Sequence, residues 1–169
     1  DLAWHLTLTG ATIYSKKIMD SLEDIDLNKC KNFPQTSLVF EKFANSNCKL
    51  FWLNDKIIYT NKNKKSYWGK VVFEVFLYDW SFFISNLPVF YSNKNKKYTI
   101  KKHSEKVDLF TLKKFLKYRS TGIFSLHKLL QYFKLIRFNS NVNIVILFLI
   151  SIINKNVILF IEKRIFNKR

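Results

Sequence analysis

Asn143 opens the segment that most constrains this chain: the apolar run Ile144 to Ile153, then Asn154-Lys155-Asn156, then Val157 to Ile161 and a basic end, Glu162 to Arg169. A helix that crosses a bilayer needs about 20 apolar residues to traverse roughly 30 Å of hydrocarbon. Here the uninterrupted run is ten residues long before the Asn-Lys-Asn insertion. On an insertion scale a central Lys costs about 3 kcal/mol, and each aliphatic residue returns about 0.3 to 0.6 kcal/mol, so the balance is near zero. Ile, Val and Phe dominate both runs, which favours strands, and Asn-Lys-Asn suits a tight turn. The expectation is a C-terminal β-hairpin buried in a core. The alternatives are a transmembrane helix over residues 143–161 and a buried helix.

Elsewhere the hydrophobic pattern predicts an α+β fold, mostly antiparallel sheet with an amphipathic helical hairpin, in a single domain spanning 1–169. Leu2, Trp4, Leu6 and Leu8 alternate with Ala3, His5, Thr7 and Thr9 as in a half-buried strand. Tyr14, Ile18, Leu22 and Ile25 then recur at helical spacing behind Thr12. Residues 1–102 read as the β-rich part. Lys49 to Leu53 and Lys56 to Thr60 flank Asn54-Asp55 as a hairpin, and Val71, Phe73, Val75 and Leu77 alternate with Val72, Glu74, Phe76 and Tyr78 as a central strand. Ser104 to Arg119 reads as a capped helix with Glu105 and Asp108 in its first turn, ended by Gly122. Leu126, Leu129, Leu130, Phe133 and Ile136 or Arg137 give a second helix behind Ser125, so 104–138 forms the helical hairpin. Residues 142–169 are the apolar C-terminal segment with its basic tail.

Charge bears on function. With 29 Lys and Arg against 12 Asp and Glu, the formal net charge is +17, beyond what solubility asks of a small domain. A polyanionic partner explains it: nucleic acid, an anionic membrane or acidic neighbours in an assembly. The excess is 25 Lys with only 4 Arg, alongside 16 Asn, 17 Ile and 17 Phe, and only 3 Gly. Those abundant residues share codons built from A and T alone, so part of the charge reflects genome composition. In this style the whole chain resembles ciliate-type mitochondrion-encoded proteins of A+T-rich genomes, ribosomal proteins above all and divergent respiratory-chain subunits next. The resemblance carries no motif and transfers no residue. It implies translation inside the organelle without an import presequence; Asp1-Leu-Ala-Trp-His-Leu-Thr-Leu8 is not a Ser/Arg-rich amphipathic leader.

Chemistry leaves little trace. Glycine occurs only at 10, 69 and 122, which removes the Walker and Rossmann loops, and neither His-Glu-x-x-His nor Gly-x-Ser-x-Gly is present. Cys30 and Cys48 lack zinc spacing, and Asp24 with Asp26 reads as a solvated helix end. The expectation is therefore no enzyme, no metal and no cofactor. The positive signal is NKNKK, which occurs twice: Lys62, Lys64 and Lys65 beside Tyr67 and Trp68, and Lys94, Lys96 and Lys97 beside Tyr98, followed by Lys101 and Lys102. With Lys163, Arg164, Lys168 and Arg169 of the tail, these are the candidate RNA contacts, ammonium groups for phosphates and rings for unpaired bases. The expected function is a structural, rRNA-contacting component of a mitochondrial ribosome, with rRNA and neighbouring ribosomal proteins as partners. The alternative is an accessory subunit of a respiratory inner-membrane complex, with membrane subunits and lipid as partners.

Overall fold

The computed structural model describes residues 13–20, 23, 26–45, 49, 51 and 67–166, and every regular element among them is helical. Short turns, Lys16–Met19 and Leu27–Cys30, precede α1 (Pro34–Asn45). A 3₁₀ turn at Tyr67–Lys70 leads to a π-helical segment, Phe73–Asp79, that continues into α2 (Trp80–Ser85). Then come α3 (Asn93–Lys106), α4 (Leu112–Ser120), α5 (Leu126–Gln131), α6 (Phe133–Asn139), α7 (Ile144–Ile152) and α8 (Lys155–Phe166). The expected α+β fold is thus corrected to an all-helical one. The strand at residues 2–8, the Asn54-Asp55 hairpin, and Leu22 and Ile25 lie outside the described residues.

The clearest correction is the expected central strand at Val71 to Tyr78. An apolar run with hydrophobes on both faces suits a buried helix as well as a buried strand, because periodicity cannot separate them. This one winds with π spacing: the Trp80 N–H donates to the Val75 carbonyl five residues back. It lies between two hydrophobic clusters and feeds both. Phe73 and Leu77 enter one, with Phe115, Phe124, Ile136 and Leu147; Val75 and Trp80 enter the other, with Phe33, Phe83, Ile84 and Ile100. Phe73 is ringed by Phe110, Tyr118 and Phe124, with centroids 5.9, 5.6 and 5.8 Å away. Tyr78 and Phe82, one turn apart, stay on the solvent side beneath the Lys31 ammonium, 4.9 and 5.6 Å from the two rings.

The expected helix from Ser104 to Arg119 is two. α3 runs through Ser104 and ends at Lys106, and Asp108 takes φ 52° in the connection. Ser104 caps nothing; it is buried, and its hydroxyl donates to Asn139 Oδ1 at 3.0 Å, tying α3 to α6. The break turns Phe110 into the core. The second expected helix is also split at Tyr132, although Ser125 caps its start by accepting from the Lys128 N–H at 3.4 Å. Gly122 sits just past α4 with φ 78°, a conformation that glycine adopts without strain.

The C-terminal β-hairpin is corrected as well. Both apolar runs are helices, and Asn154 breaks them: its Oδ1 accepts the Asn156 N–H at 2.9 Å, a cap where a strand turn was expected. α7 and α8 meet at 117°, so the transmembrane alternative fails as a straight span; among the described residues no single helix is long and apolar enough to cross a membrane. The pair packs on α4 and α5.

Candidate polyanion-binding face

The second NKNKK is the first turn of α3 rather than a loop between strands. Ser92 precedes it with extended backbone, and its hydroxyl accepts the Asn95 N–H at 3.3 Å. Ile100, His103 and Ser104 face inward against α2 and α6. That register leaves Lys94, Lys97 and Lys101 exposed at i, i+3 and i+7, one stripe of like charge. Tyr98, 51% exposed, lies alongside the stripe, and Phe90, 67% exposed, stands in the turn that leads into the helix.

The neighbouring lysines are engaged. Lys96 turns back and donates to the carbonyls of Ser85 at 3.2 Å and of Leu87, closing the end of α2. Lys102 pairs with Glu105 at 2.6 Å and lies 5.9 Å from the Tyr98 ring. That hydrogen bond raises the Lys102 ammonium and lowers the Glu105 carboxyl relative to their ordinary values. Among the five candidate lysines from 94 to 102, three therefore form the open stripe and two are held by the fold.

The other candidates fall elsewhere. Lys62, Lys64, Lys65, Lys168 and Arg169 lie outside the described residues. Lys163 and Arg164 belong to α8, and the Arg164 guanidinium lies 4.8 Å from the Phe160 ring. α8 packs on α4 and α3 on α2 and α6, so the tail cations belong to a different helix pair from the α3 stripe. Phe90 was not among the residues the sequence pattern singled out; the signal available was its place directly before a capped, lysine-rich turn.

Two charged features stabilise this frame. Lys128 pairs with Glu74 and lies 5.4 Å from the Tyr132 ring. Partial burial opposes ionisation of Glu74, yet the Lys128 hydrogen bond holds its carboxyl below the ordinary range. Asp79 accepts from the Asn32 amide at 2.6 Å and from Lys31 at 3.2 Å.

Among the described residues, His103 carries a strongly shifted imidazole. It is stacked against Trp80 and Phe76, at centroid distances of 4.4 and 5.5 Å, and burial pushes its pKa down to about 4. Neither ring nitrogen has a hydrogen-bond partner, so it behaves as an aromatic core residue. Burial raises the Cys30 thiol above its ordinary value, while Cys48 lies outside the described residues. Among the described residues no three His, Cys, Asp or Glu side chains come together as a metal site.

No family model, curated protein or solved structure matches the chain.

Proposed function

We propose that this protein is a structural, RNA-contacting component of a mitochondrial ribosome, without catalytic activity of its own, and that it meets rRNA through the stripe on α3. The observation that carries the reading is the row Lys94, Lys97 and Lys101 beside exposed Tyr98 and Phe90. Lysines in the first turn of a helix, with no acidic residue there, stand against the positive end of its dipole. Such placement costs roughly 0.3 to 1 kcal/mol per charge at low ionic strength, and a bound phosphate relieves it. The two rings add sequence-tolerant stacking on unpaired bases. Distributed positive charge and stacking suffice for shape-led binding to folded RNA. The A+T-rich style and the net charge of +17 agree with it.

The test is RNA affinity as a function of salt, for the full chain and for Lys94→Gln/Lys97→Gln/Lys101→Gln. Each neutralised phosphate contributes about 0.7 to 0.9 to the logarithmic salt slope, so the triple variant should lose about 2. An unchanged slope would remove the α3 stripe from the reading. For the ribosomal assignment, a lysate of the source organelle is run on a density gradient with and without RNase. Co-migration with a large particle that RNase dismantles supports it; migration indifferent to RNase rejects it.

A further inference from the structure

Among the described residues, nothing packs on the outer face of α7. Leu147, Ile150 and Ser151 are buried against α4 and α5, while Val145, Ile146, Phe148, Leu149 and Ile152 are all exposed, Val145 by 61%. α8 continues the pattern with exposed Val157, Leu159 and Phe160 around buried Ile158. A helix that is hydrophobic all round belongs in a core or against lipid, and contiguous exposed apolar surface on this scale marks a contact site.

We propose that the outer face of α7, with the adjoining turn of α8, lies in the interface of an anionic lipid membrane without spanning it. Charge selects the occupant. Between Asp108 and Glu162 the chain has eight Lys and Arg and no Asp or Glu. A second copy would bring +17 against +17, and RNA, whose bases can stack on a ring, offers nothing to the aliphatic Val145, Ile146, Leu149 and Ile152. An anionic bilayer satisfies both properties, taking apolar side chains about 5 to 10 Å into the headgroup boundary while Lys and Arg remain among the headgroups.

Depth is limited by geometry. At about 1.5 Å per residue, nine residues of α7 reach about 14 Å, half the hydrocarbon thickness. The 117° turn then carries the chain away. Backbone groups exposed by that turn are met inside the protein, as an apolar setting requires. The Ile153 carbonyl accepts from Arg119 and the Asn156 N–H donates to Asn154; at the far end of α7 the Val145 N–H donates to Asn143. Lys155, exposed at the turn, and Arg164, over Phe160, are placed to reach headgroups.

The inference goes beyond the RNA reading and does not depend on it, since α3 packs on α2 and α6 rather than on α7. The test is flotation of the full chain with phosphatidylcholine vesicles carrying about one-third phosphatidylglycerol, against vesicles without it. Val145→Ser/Leu149→Ser/Ile152→Ser removes one stripe of the outer face, and its circular dichroism should match the parent. The parent should bind anionic vesicles at least about ten-fold more tightly than this variant and than neutral vesicles allow. The α3 variant should bind like the parent. Phe148→Trp should shift to the blue on binding and be quenched by lipids brominated near the headgroup. Equal flotation of parent and serine variant would overturn the proposal, since charge alone would then suffice. So would loss of binding in the α3 variant only, or an apolar-dependent dimer or capture by an acidic protein with no vesicle binding.

Discussion

The Arg119 guanidinium donates through Nε and Nη2 to a single acceptor, the carbonyl oxygen of Ile153, at 2.9 and 2.7 Å. That carbonyl lies at the break between α7 and α8, and a third bond, at 3.4 Å, runs from Nη1 to the Phe124 carbonyl. One planar, permanently charged side chain thus joins the end of α4, the α4–α5 connection and the C-terminal turn.

Arg119→Met should therefore destabilise the fold by about 1 to 3 kcal/mol, because it leaves a partly buried carbonyl without its charged donor. Arg119→Lys should recover only part, since an ammonium cannot reproduce the fork. Urea unfolding followed by circular dichroism reads both. Equal midpoints for all three proteins would show that the turn is held by apolar packing alone.

His103 predicts a pH dependence. Its unfolded pKa is near 6.5 and its folded pKa about 4, so between these values the unfolded chain holds a proton that the native one refuses. Stability should fall as pH drops from about 6.5 to 4, by about 3 kcal/mol in all. Glu74 and Glu105, held below their ordinary values, lose their contribution only as pH falls through the carboxylate range. His103→Phe keeps a ring between Phe76 and Trp80 and removes the titration. Thermal melts at pH 7 and pH 5 should show the parent losing stability and the variant nearly unchanged; parallel losses would locate the acid sensitivity elsewhere.

Gly122→Ala should cost about 1 kcal/mol. Nothing lies within 4 Å of the added Cβ, so the cost comes from φ 78° alone. A melting temperature at or above the parent's would mean that the turn relaxes to a negative φ.

Lys96 and the α3 stripe should separate cleanly in mutation. Lys96→Gln removes a charged donor from the Ser85 and Leu87 carbonyls and should lower stability by about 1 kcal/mol, with little change in the salt slope of RNA binding. Lys94→Gln/Lys97→Gln/Lys101→Gln should do the reverse. The same salt titrations and melts, run on both proteins, decide it.

What the sequence determined by itself is local and electrostatic. Ser125 and Gly122 act where their chemistry placed them, one at a helix start and one beyond a helix end, because a cap or a positive φ depends on a few adjacent residues. Asn154 was legible as a chain-reversing residue, and the lysine clusters as a surplus of positive charge. Whether those turns joined strands or helices was decided by the tertiary structure. Val71 to Tyr78, Glu74 apart, and the runs Ile144 to Ile153 and Val157 to Ile161 carry hydrophobes on every side, so no period in the residues distinguishes pleat from helix. Their β-branched and aromatic residues favour strands only weakly, and packing overrides such preferences. Burial made the choice: a helical Phe73–Asp79 lets one segment feed two cores from opposite faces, and two short helices meeting at 117° let Leu147, Ile150 and Ile158 share a core with Phe115. The candidate site followed from the same choice. Only the inward register of Ile100 and His103 on α3 separates Lys94, Lys97 and Lys101, which face solvent, from Lys96, which the fold uses as a strut.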